Sequence, residues 1–218
     1  MTAAAGGESA VRRVGDFRAF AVVPAAGRST RMGSPKLLLP WGHDSTLIEQ
    51  VIAAWRRSPV ERVVVTVHPE DSALAEVCRR AGAEVVVPEV PPEDMKTSIR
   101  RALEHLARTA SPGDDDVWLA APADVPGLSS SVITRLIASH DPQRPAILRP
   151  LQAGRHGHPA LFPWPVAVQV AQLTAAEGLD VLMRRLGTRD LECGANAAPD
   201  DVDTPDDYRR LRDRYDRT

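Results

Sequence analysis

The sequence predicts an α/β protein: a mostly parallel sheet covered by helices on both faces, in three layers. Two observations predict it. Short apolar runs rich in Val, Ala and Leu alternate along the chain with stretches whose apolar residues fall at helical spacing, the pattern of a parallel sheet wound with helices. At 218 residues the chain is also long enough to bury a sizeable core without staples.

Met1 to Asp16 is small, polar and aperiodic, so it is expected to form a flexible arm, with residues 17–218 making a single domain. Phe20 to Val23 is an apolar run closed by Pro24, which predicts a buried strand entering a loop. Further strands are expected at Val63–Val67 and Glu84–Val87. Between the three strands, Thr46–Arg56 and Asp71–Ala81 read as helices, with Thr46 and Asp71 placed to cap them and Gly82 closing the second. The alternation continues with a helix near Met95–Ala107, a strand at Val117–Ala121, a helix at Ser130–Ser139 and a strand at Ala146–Arg149. Glycines and prolines from Gly154 to Trp164 predict an irregular turn and a strand that interrupts the regular winding. A final helix should start near Pro205 and run to Tyr215. The Pro-rich 88–92 and acidic 111–116 segments read as surface loops.

With 27 basic and 29 acidic side chains spread along the chain, no single-sign field argues for nucleic acid or a membrane surface. Cys78 and Cys193 lack metal-ligand spacing and read as free thiols. No apolar run approaches the ~20 residues of a membrane helix. These features point to a cytoplasmic protein with a small-molecule partner.

The segment Pro24-Ala25-Ala26-Gly27-Arg28-Ser29-Thr30-Arg31-Met32-Gly33-Ser34-Pro35-Lys36 carries the chemistry. Small residues let a phosphate approach the backbone, whose successive N–H groups form an anion-binding nest, and Arg28, Arg31 and Lys36 add positive charge. The spacing excludes the P-loop, because Gly27 to Gly33 is one residue too long and Lys36 does not follow the second glycine. It also excludes the dinucleotide fingerprint. A plain strand-to-helix turn with solvated basic residues is the competing account.

The whole string resembles A-A-G-x-S-x-R-M-G-x-x-K, the nucleotide-binding signature of the MobA-like nucleotidyltransferases, and its Val-Pro-Ala-Ala-Gly opening also resembles sugar-phosphate and methylerythritol cytidylyltransferases; the stretches around Asp124, Asp203 and His158 resemble most the molybdenum cofactor cytidylyltransferases. The resemblance implies a Rossmann-like nucleotidyltransferase fold. It places Ala25, Ala26, Gly27, Arg28, Ser29, Arg31 and Lys36 on the triphosphate, with Arg31 and Lys36 in catalytic roles. Ser98, in Met95-Lys96-Thr97-Ser98-Ile99, would lie near base and ribose. CTP is the favoured nucleotide and GTP the alternative. The implied acceptor is a phosphorylated small molecule such as molybdopterin, and a molybdoenzyme is the implied protein partner. Sugar or isoprenoid phosphates are rival acceptors, and a nucleotide-binding cofactor chaperone without turnover is a rival of another class.

Nucleotidyl transfer needs charge neutralised on the α-phosphate, commonly by magnesium on one or two carboxylates. Asp124 follows a predicted buried strand, where open α/β sheets place their ligands, and its Asp124-Val125-Pro126 resembles the family's D-x-P metal motif. Asp201-Val202-Asp203-Thr204-Pro205 resembles a second family motif in which one aspartate approaches the metal. Asp203 is the choice here, against a competing role for Asp203 or Thr204 as a helix cap. Gly154 to Phe162 resembles G-x-x-G-H-P-x-x-F beside the acceptor, which implicates Arg155 and His158. His156 and His158 would share a strand face, but no third ligand supports a transition-metal site. A family Gly-Asp-x-Gly-Ala-Arg stretch is matched at Ala176–Leu182 only in its glycine, without the arginine.

Overall fold

The computed structural model describes residues 16–27, 35–194 and 200–215. The expected arm and the loop residues Arg28, Ser29 and Arg31 therefore lie outside the described residues. In chain order the elements are β1 (Ala19–Ala25), β2 (Pro40–Trp41), β3 (Ser45–Thr46), α1 (Leu47–Arg56), β4 (Arg62–Val67), α2 (Ser72–Arg80), β5 (Glu84–Val86) and α3 (Met95–Ala110). There follow β6 (Val117–Ala120), α4 (Ser130–Ala138), β7 (Ile147–Gln152), β8 (Arg155–His156), β9 (Ala160–Pro163), α5 (Ala167–Val170), α6 (Leu179–Leu186), β10 (Thr188–Glu192) and α7 (Pro205–Tyr215).

The sheet runs β10-β7-β9-β6-β1-β4-β5, with β8 hairpinned onto β7. β1 pairs parallel with β4 and β6, and β10 parallel with β7, while β9 runs antiparallel between β6 and β7. This is the expected mostly parallel sheet, and β9 is the strand that breaks the winding.

Apolar run and helical periodicity explain the layering. β1 is buried on both faces, as a central parallel strand must be. Its Ala21 and Val23 join a core with Val51, Ile52 and Trp55 of α1 and Ile133 and Leu136 of α4. Phe20 and Val22 face the opposite core, with Ile99 and Leu106 of α3, Val170 of α5 and Leu182 of α6. Trp118 stacks on Phe162 there, ring centroids 4.2 Å apart. Each such fully buried side chain is worth about 1.5–3 kcal/mol of transfer free energy.

Local signals set the ends. Thr46 and Glu49 form a reciprocal capping box on α1, and the Asp71 side chain accepts the Leu74 N–H on α2. α3 outlasts its expected end by three residues, because Ala110 still packs against the core and the helix stops only where Ser111 turns left-handed (φ 44°). At the β7–β8 hairpin, Ala153 and Gly154 both take positive φ, the backbone of a tight hairpin turn.

One expectation needs correcting. The acidic loop 111–116 is not wholly surface: Asp116 is buried, with its Oδ1 accepting the Arg18 backbone N–H at 2.7 Å and its Oδ2 the guanidinium at 2.7 Å. The contact pins the start of β1 to the start of β6.

Candidate functional site

Strand register places the site. Because Ala25 lies opposite Val67 and Val22 opposite Ala120, the carboxyl ends of β1, β4 and β6 open on one edge, delivering Ala25–Gly27 and Pro122–Asp124 to the same cleft. β9 begins opposite Ala120, so His158 arrives at that edge from the antiparallel direction, through a cis His158–Pro159 peptide.

The cleft, about 230 Å³, is lined by Pro24–Gly27, Lys36, Glu93–Met95, Ser98 and Asp124 among others. Gly27 is exposed there, and a Cβ on it would meet nothing within 4 Å. Among the described residues, no atom occupies the space in front of this glycine.

Lys36 opens a short 3-10 turn and reaches across the cleft mouth. Its Nζ donates to Asp124 Oδ2 at 2.6 Å, the Val202 carbonyl at 2.8 Å and Asp203 Oδ1 at 3.3 Å. The Val202 N–H donates to the Asp124 carbonyl at 2.9 Å, so backbone as well as charge holds the 201–203 segment against the end of β6. The structure thus brings Lys36, Asp124 and Asp203 together.

Asp203 is not the helix cap. Thr204 and Asp207 cap α7 reciprocally: the Asp207 N–H donates to Thr204 Oγ1 at 3.2 Å and the Thr204 N–H to Asp207 Oδ2 at 3.0 Å. That leaves Asp203 free to meet Lys36.

Asp201 joins them from the same segment. Partial burial, reinforced by the negative charges of Asp124 and Asp203, pushes its carboxyl up to about 6, with Lys36 pulling the other way. Solvent at its exposed side weakens these effects without reversing them. Among the described residues, the carboxylates of Asp124 and Asp203 both contact the one ammonium of Lys36. The resemblance left the choice between Asp201 and Asp203 open and the sequence reading took Asp203, the one whose carboxylate contacts Lys36.

The remaining predicted residues divide. Ser98 lines the cleft but is buried, its hydroxyl donating to the Asp94 carbonyl of its own helix at 3.3 Å. His158 is largely enclosed, and burial pushes its imidazolium below the usual range against the opposing pull of Asp124. His156, by contrast, is exposed on β8 and bonds Asp190 at 2.9 Å, so the two histidines separate. Arg155 is exposed and pairs with Asp200 at 3.4 Å, away from the cleft.

A second cavity of about 280 Å³ adjoins the first, sharing Pro24, Met95 and Pro122. His158, Ala160, Phe162, Ile99, Leu179 and Met183 give it an apolar lining. The edge of the sheet therefore carries two adjoining chambers, one holding Lys36 and Asp124, the other largely apolar and holding His158.

This arrangement agrees with a family match. The model of the MobA-like NTP transferase domain matches residues 21–191. The chain belongs to the MobA-like NTP transferase family. A molybdenum cofactor guanylyltransferase of Xanthomonas euvesicatoria pv. vesicatoria is 33% identical over 54% of this chain, which spans about half of that relative (52%). The nicotine blue oxidoreductase of Paenarthrobacter nicotinovorans is 30% identical over 87% of this chain and 94% of its own length. Among solved structures, Rv0371c of Mycobacterium tuberculosis H37Rv superposes with TM-score 0.74 at 30% identity, covering 90% of this chain and 98% of that one. Rv0371c has also been solved in complex with manganese. Membership accounts for the Rossmann-like layering.

Proposed function

We propose that this MobA-like protein is a magnesium-dependent nucleotidyltransferase that moves a nucleoside monophosphate, CMP by preference, from its triphosphate to a phosphorylated acceptor of the molybdopterin type. The observation that carries the reading is the convergence of Lys36, Asp124 and Asp203 at the mouth of a glycine-lined cleft.

The residues fit a divalent cation. Among the described residues Asp124 Oδ1 is buried with no hydrogen-bond partner, and Asp124 and Asp203 offer the hard carboxylate oxygens such a cation takes. Asp124 and Asp203 would hold the ion, which supplies charge neutralisation on the α-phosphate and the departing pyrophosphate. The backbone of Ala25–Gly27 receives the phosphates, and Lys36 adds a fixed cation beside them. An acceptor phosphate oxygen forms the new bond to the α-phosphorus as the bond to the bridging oxygen of pyrophosphate breaks. The apolar chamber takes the body of the acceptor and keeps water from the reacting phosphorus. His158, kept neutral by burial, lines that chamber without adding positive charge. Arg28, Ser29 and Arg31 complete the phosphate contacts in this reading, whereas Arg155, turned to Asp200 outside both chambers, has no part in it. Positioning and electrostatics supply most of the acceleration.

The test measures pyrophosphate release with CTP, GTP, ATP and UTP, each with and without molybdopterin. Asp124→Ala should lower turnover by roughly a thousandfold while keeping a native-like melting transition; retained turnover sinks the reading. One relative of near-equal length is named an oxidoreductase, so a reduced nicotinamide dinucleotide with a flat aromatic dye is the comparison arm. Oxidation of that dinucleotide without pyrophosphate release would favour redox chemistry at the same cleft.

A further inference from the structure

Lys96 is in an unfavourable place for its own helix. It sits in the first turn of α3, where the helix dipole disfavours a cation, and its side chain is only 12% exposed. Its ammonium is fully engaged elsewhere. Nζ donates to the carbonyls of Thr174, Ala175 (2.7 Å) and Glu177 (2.9 Å), and pairs with Asp94 at 3.2 Å.

The turn it grips is braced from the other side by Glu177, which accepts the Thr174 N–H at 2.8 Å and the Thr174 hydroxyl at 3.0 Å and pairs with Arg185. Immediately after this turn come Gly178, Leu179 and Asp180, one wall of the apolar chamber. The opposite wall is α3 itself, through Met95, Lys96 and Ile99. Asp94, the ion partner, caps α3 and lines the nucleotide cleft.

We propose that Lys96 is a positioning residue that clamps the Thr174–Glu177 turn to α3 and so fixes the width of the apolar chamber that admits the acceptor. The inference rests on the acceptor assignment above only for its kinetic consequence; the clamp itself is a statement about the turn. Four oxygens converging on one ammonium offset the cost of its desolvation, and removing it leaves three carbonyls of the turn without that donor.

Lys96→Met keeps the length of the stem and removes the charge. Hydrogen exchange of amides 174–183 should quicken about tenfold in Lys96→Met and stay near the wild-type rate in Lys96→Arg. In pyrophosphate-release assays with CTP and molybdopterin, the acceptor KM should rise about tenfold in Lys96→Met, with the CTP KM nearly unchanged and Lys96→Arg restoring most of the loss. Glu177→Gln loosens the same turn from its other side, so its effect on acceptor KM should be non-additive with Lys96→Met. Unchanged exchange at 174–183 in Lys96→Met overturns the clamp, as does a KM that rises equally for both substrates with no rescue by arginine. If the wild-type protein releases no pyrophosphate with any acceptor, the functional reading fails while the exchange comparison still decides the clamp. Should Lys96→Met not fold, Lys96→Gln, which also removes the cation, supplies the same comparison.

Discussion

Gly27 separates what the fold needs from what the chemistry needs. No described protein atom lies within 4 Å of where its Cβ would be, so Gly27→Val should leave the melting temperature close to wild type. On the proposed reading the added branches would enter the space assigned to phosphate, and the KM for the triphosphate should rise about tenfold or more; an unchanged KM would remove the phosphates from this loop. At this scale the sequence was partly readable. Lys36, Asp124 and Asp203 were picked out by motif, and the structure brings their side chains within 3.3 Å of one ammonium. Asp201 and Lys96 were not singled out. Their environments are made by side chains and carbonyls far along the chain, which local spacing does not encode.

Elements show the same division. Strands buried on both faces announce themselves as apolar runs, which is why β1, β4 and β6 were readable within a residue or two. β10, with Thr-Arg-Asp-Leu-Glu, did not, because it is an edge strand whose charged side chains face water and blunt an open edge. The opposite edge is held by charge. Glu84 of β5 pairs with Arg62 of β4 and bonds His105 of α3 at 3.0 Å. Burial raises its pKa, but the hydrogen bonds and charges of Arg62 and His105 more than offset this and hold the carboxyl below its usual range. A depressed carboxylate lends stability above its ordinary pKa of about 4.3 and loses it as pH falls through the folded value. Glu84→Gln should therefore lower stability at pH 7 by no more than about 1 kcal/mol and flatten the acid limb of a melting-temperature profile below about pH 4.3. A variant whose acid limb matches wild type would show that the cluster contributes nothing.

For the whole molecule, ligand linkage is the informative measurement. A triphosphate binding only the folded state at 100 times its Kd contributes about 2.7 kcal/mol. For a chain of this size that corresponds to a rise of roughly 5–10 °C in Tm, and the nucleotide giving the largest rise identifies the preferred base. No rise with CTP, GTP, ATP or UTP would contradict a nucleotide site. Fold class was legible at this scale because strand and helix signals alternate so regularly. The adjoining chambers were not, since they depend on β9 entering the sheet backwards and delivering His158 to the sheet edge that carries Asp124. The same long-range closure governs Lys36, whose partners at 202 and 203 lie 166 and 167 residues further on. A growing polypeptide displays the phosphate loop and Asp124 long before those partners have been translated. In an unfinished chain Lys36 therefore lacks its contacts with Val202 and Asp203 until the C-terminal segment has emerged.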